Sequence, residues 1–488
     1  MQKILLAVVL LVVVIGTLVV VRTSLHKPAQ EVSIAQIEIE IDEQLIARHL
    51  SEAVQIRTVS HQRSEDWDAE AFEAFIAWVA TTYPEVNNTM KLTRLGGYTM
   101  LYRWAGSNDD LAPILLTAHY DVVPVIPGTE GLWTHPPFDG LIVEDVIWGR
   151  GALDDKSAVV AQLEAATRLL QVGYQPERTV YFSFGHDEEL GGPHGAAAVA
   201  EYLKTSGVQL AWSLDEGSFL LDGLMPGVDK LVASINVAEK GSLSLEIVAS
   251  GEGGHSSMPP QRTAVGYLAE AITLLESNPV PGGLSGLSAQ MFDTTSRHMP
   301  FTPRMLFANR WLFGDLVEDQ LSDSSFGNAM LRTTTAPTML SASIKVNVLP
   351  IEAIATVNFR LHPRDSVQDV LEYVKSVVEN DRVEVRMVPD SGRPASSVSD
   401  WQSPGYKVIE RAIREVWGDV VVTPGLMIAG SDSRHYGKVA DNAFRFNPMK
   451  VSQNDLTGFH GTNEKIVAPN LAQATRTYVQ IIRRGSSE

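Results

Sequence analysis

The chain has 488 residues, of which 44% are hydrophobic and 20% charged, and this length predicts more than one domain. Aspartate and glutamate outnumber lysine and arginine by 58 to 39, giving a formal charge of −19 that argues against nucleic acid as a partner, because phosphates require basic surfaces. The absence of cysteine excludes disulfides, thiolate metal ligands and a cysteine nucleophile, so any metal must be bound by His, Asp and Glu.

A run of apolar or small residues occupies positions 4–21. At about 1.5 Å per helical residue it spans roughly 27 Å, close to the thickness of a bilayer core. The run ends in Val-Val-Val-Arg22 without a small-residue cleavage site, so we favour an uncleaved signal anchor over a cleaved signal peptide. Lys3 lies on one side and Arg22 and Lys27 on the other, which leaves the orientation open. We expect the bulk of the chain on the exported side of a membrane, or secreted if the segment is cleaved.

Apolar strands alternate with amphipathic helices in the next part of the chain. Helical periodicity begins near Ile41 and returns at residues 72–79. Strands are predicted at residues 113–118, 179–184 and 210–214, and helices at residues 157–171 and 196–203. This order predicts an α/β fold, with a mostly parallel sheet and helices on both faces.

The pattern changes after Lys230, where polar and apolar residues alternate as in strands with one wet face. Strands are predicted at residues 242–249, 341–348, 353–361 and 383–388, and helices at residues 264–276 and 367–379. The order β-α-β-β-α-β is typical of ferredoxin-like domains. We therefore predict a small ferredoxin-like α+β domain inserted into the larger α/β domain.

These sequence patterns divide the chain into five segments. They are a signal segment at 1–21, a connector at 22–40, the first part of the larger domain at 41–236, the inserted domain at 237–393 and the second part of the larger domain at 394–488.

Acidic and imidazole residues occur where the predicted parallel strands end. His119 follows the first of these strands, Glu188 and Glu189 follow the second, and Asp215 follows the third. Each residue alone would be an ordinary surface group, but the carboxyl ends of parallel strands meet at one edge of the sheet. Asp154 lies in a glycine-bearing loop just before a helix. Adjacent carboxylates are costly to hold together unless a cation compensates, so the set predicts a metal site.

Six short motifs resemble a known family. They are His119-Tyr-Asp121, Gly151-Ala-Leu-Asp-Asp-Lys156, Asp187-Glu-Glu-Leu-Gly191, Leu214-Asp-Glu-Gly217, Gly254-His-Ser256 and Phe459-His-Gly461. Across roughly residues 40–480, the chain resembles the co-catalytic zinc peptidases, which include aminoacylases, carboxypeptidase S, glutamate carboxypeptidase and succinyl-diaminopimelate desuccinylase. It is most similar to the carboxypeptidase S branch, which also contains N-fatty-acyl-amino-acid hydrolases.

The resemblance implies two zinc ions per chain, with cobalt or manganese as alternatives because His and carboxylate sites accept several metals. Asp154 would bridge the two ions, His119 and Asp215 would complete one site, and Glu189 and His460 would complete the other.

The resemblance also implies how the reaction is assisted. Glu188 would act as the general base, and Asp121 would orient the ring of His119. His255 of the inserted domain would donate to the oxyanion, in many relatives across a dimer; the alternative is a histidine in an ordinary Gly/Ser turn. The peptide bond between Asp154 and Asp155 is expected to be cis.

Substrates of this family carry a free carboxylate beside the scissile amide. Asn347 and Arg360, expected on the two central strands of the inserted domain, match the family's carboxylate-binding positions, and an arginine fork suits a carboxylate. Ser431 and Arg434 lie in a stretch that resembles the family's glycine-rich substrate loop, although Arg434 could equally be an ordinary surface cation.

These features predict an enzyme, a metallopeptidase-type amidohydrolase that cleaves N-acyl amino acids or small peptides with a free C-terminal carboxylate. A dipeptidase or carboxypeptidase without lipid preference, and a reversible N-acyl-amino-acid synthase/hydrolase, are alternatives. A catalytically inactive binding domain is disfavoured because every implied ligand and the base are present. The expected partners are the small-molecule substrate, a membrane through the N-terminal segment and a second copy through the inserted domain.

One apolar stretch, at residues 281–337, exceeds what a ferredoxin-like domain needs. It contains Trp311 and Phe313 among other large side chains. It is either ordinary core for an extra helix or an apolar wall beside the active site that accepts a long acyl chain.

Overall fold

The computed structural model describes residues 1–28 and 34–487. The α-helices among these residues are α1 Gln2–Leu25, α2 Glu43–Gln55, α3 Ala69–Thr82, α4 Pro84–Thr89, α5 Lys156–Gln171, α6 Ala196–Thr205, α7 Ala264–Ser277, α8 Gly286–Ser296, α9 Phe301–Ala308, α10 Arg310–Ser322, α11 Ser325–Leu331, α12 Val367–Val377, α13 Pro404–Trp417, α14 Ser433–Tyr436 and α15 Ala468–Gly485. The strands are β1 Lys91–Leu95, β2 Thr99–Trp104, β3 Ile114–His119, β4 Ile142–Val143, β5 Val146–Trp148, β6 Val180–Gly185, β7 Trp212–Asp222, β8 Val232–Glu239, β9 Gly241–Ser250, β10 Gly254–His255, β11 Thr334–Ser341, β12 Val348–Leu349, β13 Glu352–Leu361, β14 Val383–Met387, β15 Val421–Met427, β16 Ala443–Ser452 and β17 Lys465–Val467.

The larger sheet has eight strands in the order β1-β2-β6-β3-β7-β16-β8-β15. Its centre is parallel: β3 pairs in parallel with β6 and β7, and β7 pairs in parallel with β16. All six residues of β3 are buried, as expected for a strand covered on both faces. Ile114 and Leu116 pack in the core with α5 and α15, whereas Leu115 packs on the opposite face with α6. The predicted α/β architecture is confirmed.

The smaller sheet has four antiparallel strands in the order β11-β13-β9-β14. Alternate residues of β9 and β13, such as Leu245 and Val357, form a separate apolar core with α7 and α12. The other face of β13 carries polar residues, including Arg360. The chain order β9-α7-β11-β13-α12-β14 is the predicted ferredoxin-like pattern.

Two predicted strands have other bounds in the structure. The strand expected at residues 341–348 is wrong: β11 ends at Ser341, and Ile344 and Val346 are 100% and 99% exposed, because no sheet face lies beside them. The strand expected at 210–214 is β7, which continues to Asp222 because β16 pairs with it as far as that residue. Asp215 therefore lies within a strand and not after one.

The N-terminal helix α1 extends beyond the predicted run, from Gln2 to Leu25. Among the described residues it is the single helix long and apolar enough, by length and composition, to cross a membrane. Only Val19 and Thr23 are buried along it. The first residues assigned to the connector thus belong to this helix, and residues 29–33 of the connector lie outside the described residues.

The apolar stretch at 281–337 forms four helices, α8 to α11, between α7 and β11. Leu287 and Met291 of α8 join the main core, and α8 packs against β15 at the edge of the larger sheet. Helix α9 packs against α1. The buried residues of these helices fit the helix-core alternative, whereas Phe301, Trp311, Leu312 and Leu316 are exposed and belong to no core.

Candidate active site

The strand order brings the predicted site residues to one edge of the larger sheet. His119 is the last residue of β3, which lies between β6 and β7. Glu188 and Glu189 begin a short 3-10 turn that follows β6, and Asp215 lies in β7. These side chains meet because parallel neighbouring strands end on the same side.

Asp154 stands at the centre of this group. Its Oδ1 lies 3.1 Å from Nε2 of His119, and its Oδ2 lies 3.2 Å from Nε2 of His460. Each carboxylate oxygen therefore faces a different imidazole. The peptide bond from Asp154 to Asp155 is cis, as predicted.

His460 enters the group from a loop near the end of the chain. Its Nε2 lies 3.3 Å from Oε2 of Glu189, and its side chain is 58% exposed. Its φ is 55°, a left-handed conformation that non-glycine residues seldom adopt and that clusters at functional sites.

Asp121 connects two elements of the site. Its Oδ1 lies 3.3 Å from Nδ1 of His119, and its carboxylate accepts hydrogen bonds from the backbone N–H groups of Glu188 and Glu189 at 3.2 Å. The hydroxyl of Ser60 donates to Oδ2 at 2.6 Å. The backbone carbonyl of Asp121 also lies 3.0 Å from Nδ1 of His119. One residue thus holds the imidazole ring, mainly through its carbonyl, and the turn that carries the glutamates, through its carboxylate.

Burial and like charge dominate the electrostatics. Burial, reinforced by the charge of Glu216, raises the pKa of Glu188 well above its usual range. The same two causes raise the pKa of Asp215 to about 7. Hydrogen bonds to Asp154 and Glu189 raise the pKa of His460 to about 10. Although burial opposes it, hydrogen bonds from His119 and His460 lower the pKa of Asp154. The site gathers more negative charge than two imidazoles offset, which favours a bound cation.

The donor atoms fit a metal in two overlapping groups. One is His119, Asp154 and Glu216, the other is Asp154, Glu189 and His460, and the ligand atoms within each group lie within 4.8 Å of one another. Oε1 of Glu189 and Oδ2 of Asp215 are buried without a hydrogen-bond partner, as a ligand atom would be. Imidazole nitrogen and carboxylate oxygen are donors that zinc, cobalt and manganese accept.

Glu216 is the group that sequence reasoning did not select. Its Oε1 lies 3.6 Å from Nε2 of His119, whereas Asp215 belongs to neither donor group. The pairing of β7 with β16 shifts register after Asp215, so the regular alternation of side chains is broken there. The motif contained both acids, but a register irregularity depends on the partner strand and leaves no local signal.

Glu464 is a second residue that sequence reasoning missed. It is fully buried, and its Oε1 accepts backbone N–H groups of Leu153 and Asp154 at 2.8 and 2.9 Å. Its Oε2 accepts from Nη1 of the buried Arg150 at 2.6 Å. The glycine-bearing loop around Asp154 is therefore held by a carboxylate four residues after His460. Its place in the same loop as His460 was the only available signal.

A cavity of about 760 Å³ opens beside Leu190 and Gly191, directly after Glu189. Its basic lining residues are Lys240, Arg360, Arg393, Arg434, Lys438 and Arg445, and its acidic ones are Glu239 and Asp441. Arg445 is paired with Glu239, and burial lowers the pKa of Lys240 to about 7, so the remaining arginines and Lys438 supply most of the positive charge. Arg360 reaches it from β13, and Nη2 of Arg434 donates to the carbonyl of Gly191 at 2.5 Å. The cavity therefore suits an anion close to the carboxylate group. Lys240 and Arg393 were not predicted.

Three other predicted site residues, Ser431, His255 and Asn347, make their hydrogen bonds outside the carboxylate group. Ser431 is fully buried and donates to Oε2 of Glu239 at 3.1 Å. His255 lies on an exposed two-stranded ribbon of β10 and β12, and its Nδ1 pairs with the hydroxyl of Ser257 at 2.7 Å. Asn347 is not on a central strand, because it precedes β12, and its carbonyl accepts from the backbone of Ser256. Neither His255 nor Asn347 lines the cavity.

Carboxylates and imidazoles at the carboxyl edge of an α/β sheet, beside a cavity lined by arginine and lysine, form a site suited to a metal-dependent hydrolase. The family model for peptidase family M20/M25/M40 matches residues 115–484. The chain belongs to this family and is a metallopeptidase-type amidohydrolase.

Similar proteins cover nearly the whole chain. It is 39% identical over 442 residues to "Probable carboxypeptidase S-like 2" of Dictyostelium discoideum, covering 90% of this chain and 84% of that protein. It is 38% identical over 447 residues to "N-fatty-acyl-amino acid synthase/hydrolase PM20D1" of Mus musculus, covering 91% and 88%. The fold matches an M20 family metallo-carboxypeptidase of Sulfolobus solfataricus with a TM-score of 0.63 at 19% identity, covering 91% and 99%.

Isosteric substitution can distinguish the roles of Asp215 and Glu216, the two neighbouring acids of β7. We expect Asp215→Asn to release one ion, because its buried oxygen has no hydrogen-bond partner. Glu216→Gln should leave the metal content unchanged if Asp215 is the ligand that the family resemblance implies, although Oε1 of Glu216 lies 3.6 Å from Nε2 of His119. Metal content per chain after gel filtration is the measurement. The reverse result, an ion lost from Glu216→Gln and kept in Asp215→Asn, would assign the ligand to Glu216.

Glu464→Gln should destabilise the protein by about 3–5 kcal/mol, because it leaves the buried Arg150 guanidinium without a counter-charge. Thermal unfolding with and without added metal is the measurement. Glu73→Gln, which breaks an exposed pair with Arg94, is the matched control and should barely move the midpoint. Combining Glu464→Gln with Arg150→Gln should recover part of the loss. Equal midpoints for the two single variants would contradict a role for Glu464 in holding the loop.

Proposed function

We propose that the protein hydrolyses the amide bond of N-acyl amino acids or small peptides that carry a free C-terminal carboxylate. The observation that carries this proposal is the position of Asp154, with one oxygen 3.1 Å from His119 and the other 3.2 Å from His460. A carboxylate that faces one imidazole with each oxygen is suited to bridging two metal ions.

The proposed metals are two zinc ions. Asp154 would bridge them, His119 and Asp215 would complete one site, and Glu189 and His460 would complete the other. When bound, such ions lower the pKa of a shared water and polarise the scissile carbonyl. The chain's own contribution is a set of ligands whose positions are held by Asp121 and Glu464.

Glu188 is the proposed general base. Its Oε2 lies 4.0 Å from Nε2 of His119, at the rim of the first donor group, and its backbone is held by Asp121. Burial raises its pKa, which makes the carboxylate a better proton acceptor at neutral pH. It would take a proton from the attacking water and deliver it to the leaving nitrogen.

The proposed anchor for the substrate carboxylate is the cationic cavity. Arg360 is exposed on its β13 face, and Arg434 is fixed beside Gly191. An arginine can bind a carboxylate through two parallel hydrogen bonds, and this sets the distance from the carboxylate to the scissile amide. Ser431 would act indirectly, by fixing the loop that carries Arg434 through its bond to Glu239.

The acyl group is proposed to be a fatty acyl chain. Support comes from the similarity to proteins named N-fatty-acyl-amino acid synthase/hydrolase. The apolar wall expected at 281–337 does not support it, because none of these residues lines the cavity. A dipeptidase or carboxypeptidase without lipid preference is the competing assignment, favoured by the similarity to carboxypeptidase S of Saccharomyces cerevisiae. The synthase direction would use the same residues.

We also propose that α1 is an uncleaved signal anchor with the catalytic part on the exported side. Nearly all of its side chains are exposed, whereas a helix of this length in a soluble core would be covered.

A homodimer through the inserted domain, proposed as residues 237–393, is supported by its sheet edge. β11 is an edge strand, and Met339 and Leu340 on it are 67% and 70% exposed. An exposed apolar edge strand readily pairs with another chain. The exposed ribbon that carries His255 belongs to the same inserted segment, so a partner chain could bring His255 to the active site of the other subunit.

The direct test is hydrolysis by zinc-loaded protein of acyl amino acids of graded chain length, with dipeptides in parallel. We expect kcat/KM to rise with chain length, because each buried methylene contributes about 0.8 kcal/mol. Glu188→Gln should abolish turnover and keep the metal, whereas Asp154→Ala should lose both ions. A flat profile would favour the peptidase assignment, and turnover by Glu188→Gln within about tenfold of the parent would exclude Glu188 as the base.

Arg360→Lys tests the carboxylate anchor. It keeps the charge and loses the fork, so kcat/KM for free-acid substrates should fall by about tenfold or more while amidated analogues change little. Arg386→Lys, on the outer strand β14, is the matched control and should leave both substrate classes unchanged. An equal loss on acids and amides would assign Arg360 a structural role.

Leu340→Lys should convert a dimer to a monomer by placing a charge on the exposed edge of β11. Light scattering after gel filtration measures the mass, and Val172→Lys, at an exposed position after α5, is the control. If His255 acts across the dimer, His255→Ala and Leu340→Lys should lower kcat alike. A monomeric parent, or full activity in a monomeric variant, would refute this arrangement.

A further inference from the structure

Four large apolar side chains on α9 and α10 are exposed. They are Phe301, Trp311, Leu312 and Leu316, with 45%, 51%, 46% and 46% of their surface accessible. Leu312 and Leu316 are four residues apart and therefore share one side of α10, whereas Val317 is buried on another side. We call these four residues the apolar helix face. Asp315 and Asp319 are exposed on the same side of α10 as the two leucines. Several large exposed apolar side chains on adjoining helices favour a contact with a protein or a membrane.

The apolar helix face is attached to α1 at the junction of α9 and α10. Nδ2 of Asn309 donates to the carbonyl of Val19 at 3.3 Å and to the hydroxyl of Thr23 at 3.1 Å. Nε1 of Trp311 donates to Oδ1 of the same asparagine at 3.3 Å. Nε of Arg22 donates to the carbonyl of Ala308. One buried asparagine thus links Trp311 directly to the last turns of α1.

This attachment sets the depth of the junction along α1. The apolar run ends at Val21, so Val19 lies about 3 Å before its end in a helix. If α1 spans a bilayer, the end of the run marks the boundary between hydrocarbon and head groups. Asn309 and Trp311 then lie at that boundary, the zone in which tryptophan is enriched in membrane proteins.

Basic residues surround the same junction. Nη1 of Arg297 donates to the carbonyl of Lys27, and His26 pairs with the hydroxyl of Ser296 at 2.9 Å. Burial, followed by the positive charge of Arg297, lowers the pKa of His26, and Arg304 and Arg310 act in the same direction against the charge of Asp293. Arg297 is paired with Asp293 at 2.9 Å, and α10 carries Asp315, Glu318 and Asp319, so the charge around the junction is mixed. The support for a membrane contact is therefore the exposed apolar side chains and their attachment to α1.

We propose that the apolar helix face lies in the interface of the bilayer that α1 enters, as a second and non-spanning contact with phospholipid. This inference rests on the proposed anchor. Phospholipid is the occupant because the face adjoins α1, whose own apolar side chains are exposed between Ile4 and Val14. Since α8 packs against β15, this contact holds the larger sheet in a fixed orientation above the membrane.

The cysteine-free chain allows each position to be labelled alone. Single variants Leu312→Cys, Leu316→Cys, Leu5→Cys and Val172→Cys of the full chain carry an environment-sensitive fluorophore. They are reconstituted in phosphatidylcholine with a minor share of phosphatidylglycerol, once at less than one chain per vesicle and once at high chain density. Nitroxide-bearing phosphatidylcholines quench labels near the head groups or near the bilayer centre. Unchanged hydrolytic activity of Leu312→Cys and Leu316→Cys checks their folding.

We expect labels at 312 and 316 to lose most of their fluorescence to the shallow nitroxide, and the label at Leu5, one residue inside the other end of the apolar run, to be quenched by it as well. The label at the exposed Val172 should respond to neither nitroxide. Labels at 312 and 316 that behave like that at 172 while Leu5 is quenched would overturn the interfacial contact and leave the anchor intact. An unquenched Leu5 would overturn the anchor itself. Shielding of 312 and 316 that appears only at high chain density would also overturn the proposal and indicate a second copy as the occupant.

Discussion

The buried excess of carboxylates around Asp154 is the constraint on which the rest of the structure depends. Glu188, Glu189, Asp215 and Glu216 stand within one small region at low solvent exposure, and two imidazoles offset only part of their charge. Buried like charges repel strongly, so such a group persists only where a rigid scaffold positions it and a cation compensates it. The family's dependence on metal follows from this imbalance.

The scaffold has two levels. The parallel centre of the larger sheet brings His119, the Glu188 turn and β7 to one edge, because these chain segments end or bend beside one another. Two further buried acids then hold backbone groups: Asp121 binds the N–H groups of the Glu188 turn, and Glu464 binds those of the Asp154 loop. These carboxylates act through hydrogen bonds to the backbone, which orient the ligands without direct participation in the chemistry.

The smaller sheet contributes to the cavity beside the site, whereas the four extra helices do not. The smaller sheet contributes Arg360 to the cationic cavity, and its apolar core with α7 and α12 is separate from that of the larger sheet. The helices α8 to α11 instead pack against β15 and α1, away from the cavity lining. The larger sheet therefore contacts the cavity lining through residues such as Arg445 and contacts α8, the first of the four extra helices, through β15.

By itself, the sequence determined the features that depend on local pattern. Apolar runs predicted β3, β6 and α5, the strand ends predicted where His119 and Glu188 would lie, and the motifs identified the family. Tertiary structure alone decided what depends on distant partners. The register shift against β16 distinguishes Asp215 from Glu216, because strand alternation holds only where pairing is regular. Arg150 and Glu464 meet across 314 residues, and Asn309 meets Thr23 across 286. No local pattern encodes such contacts, since they form only when separate elements pack together.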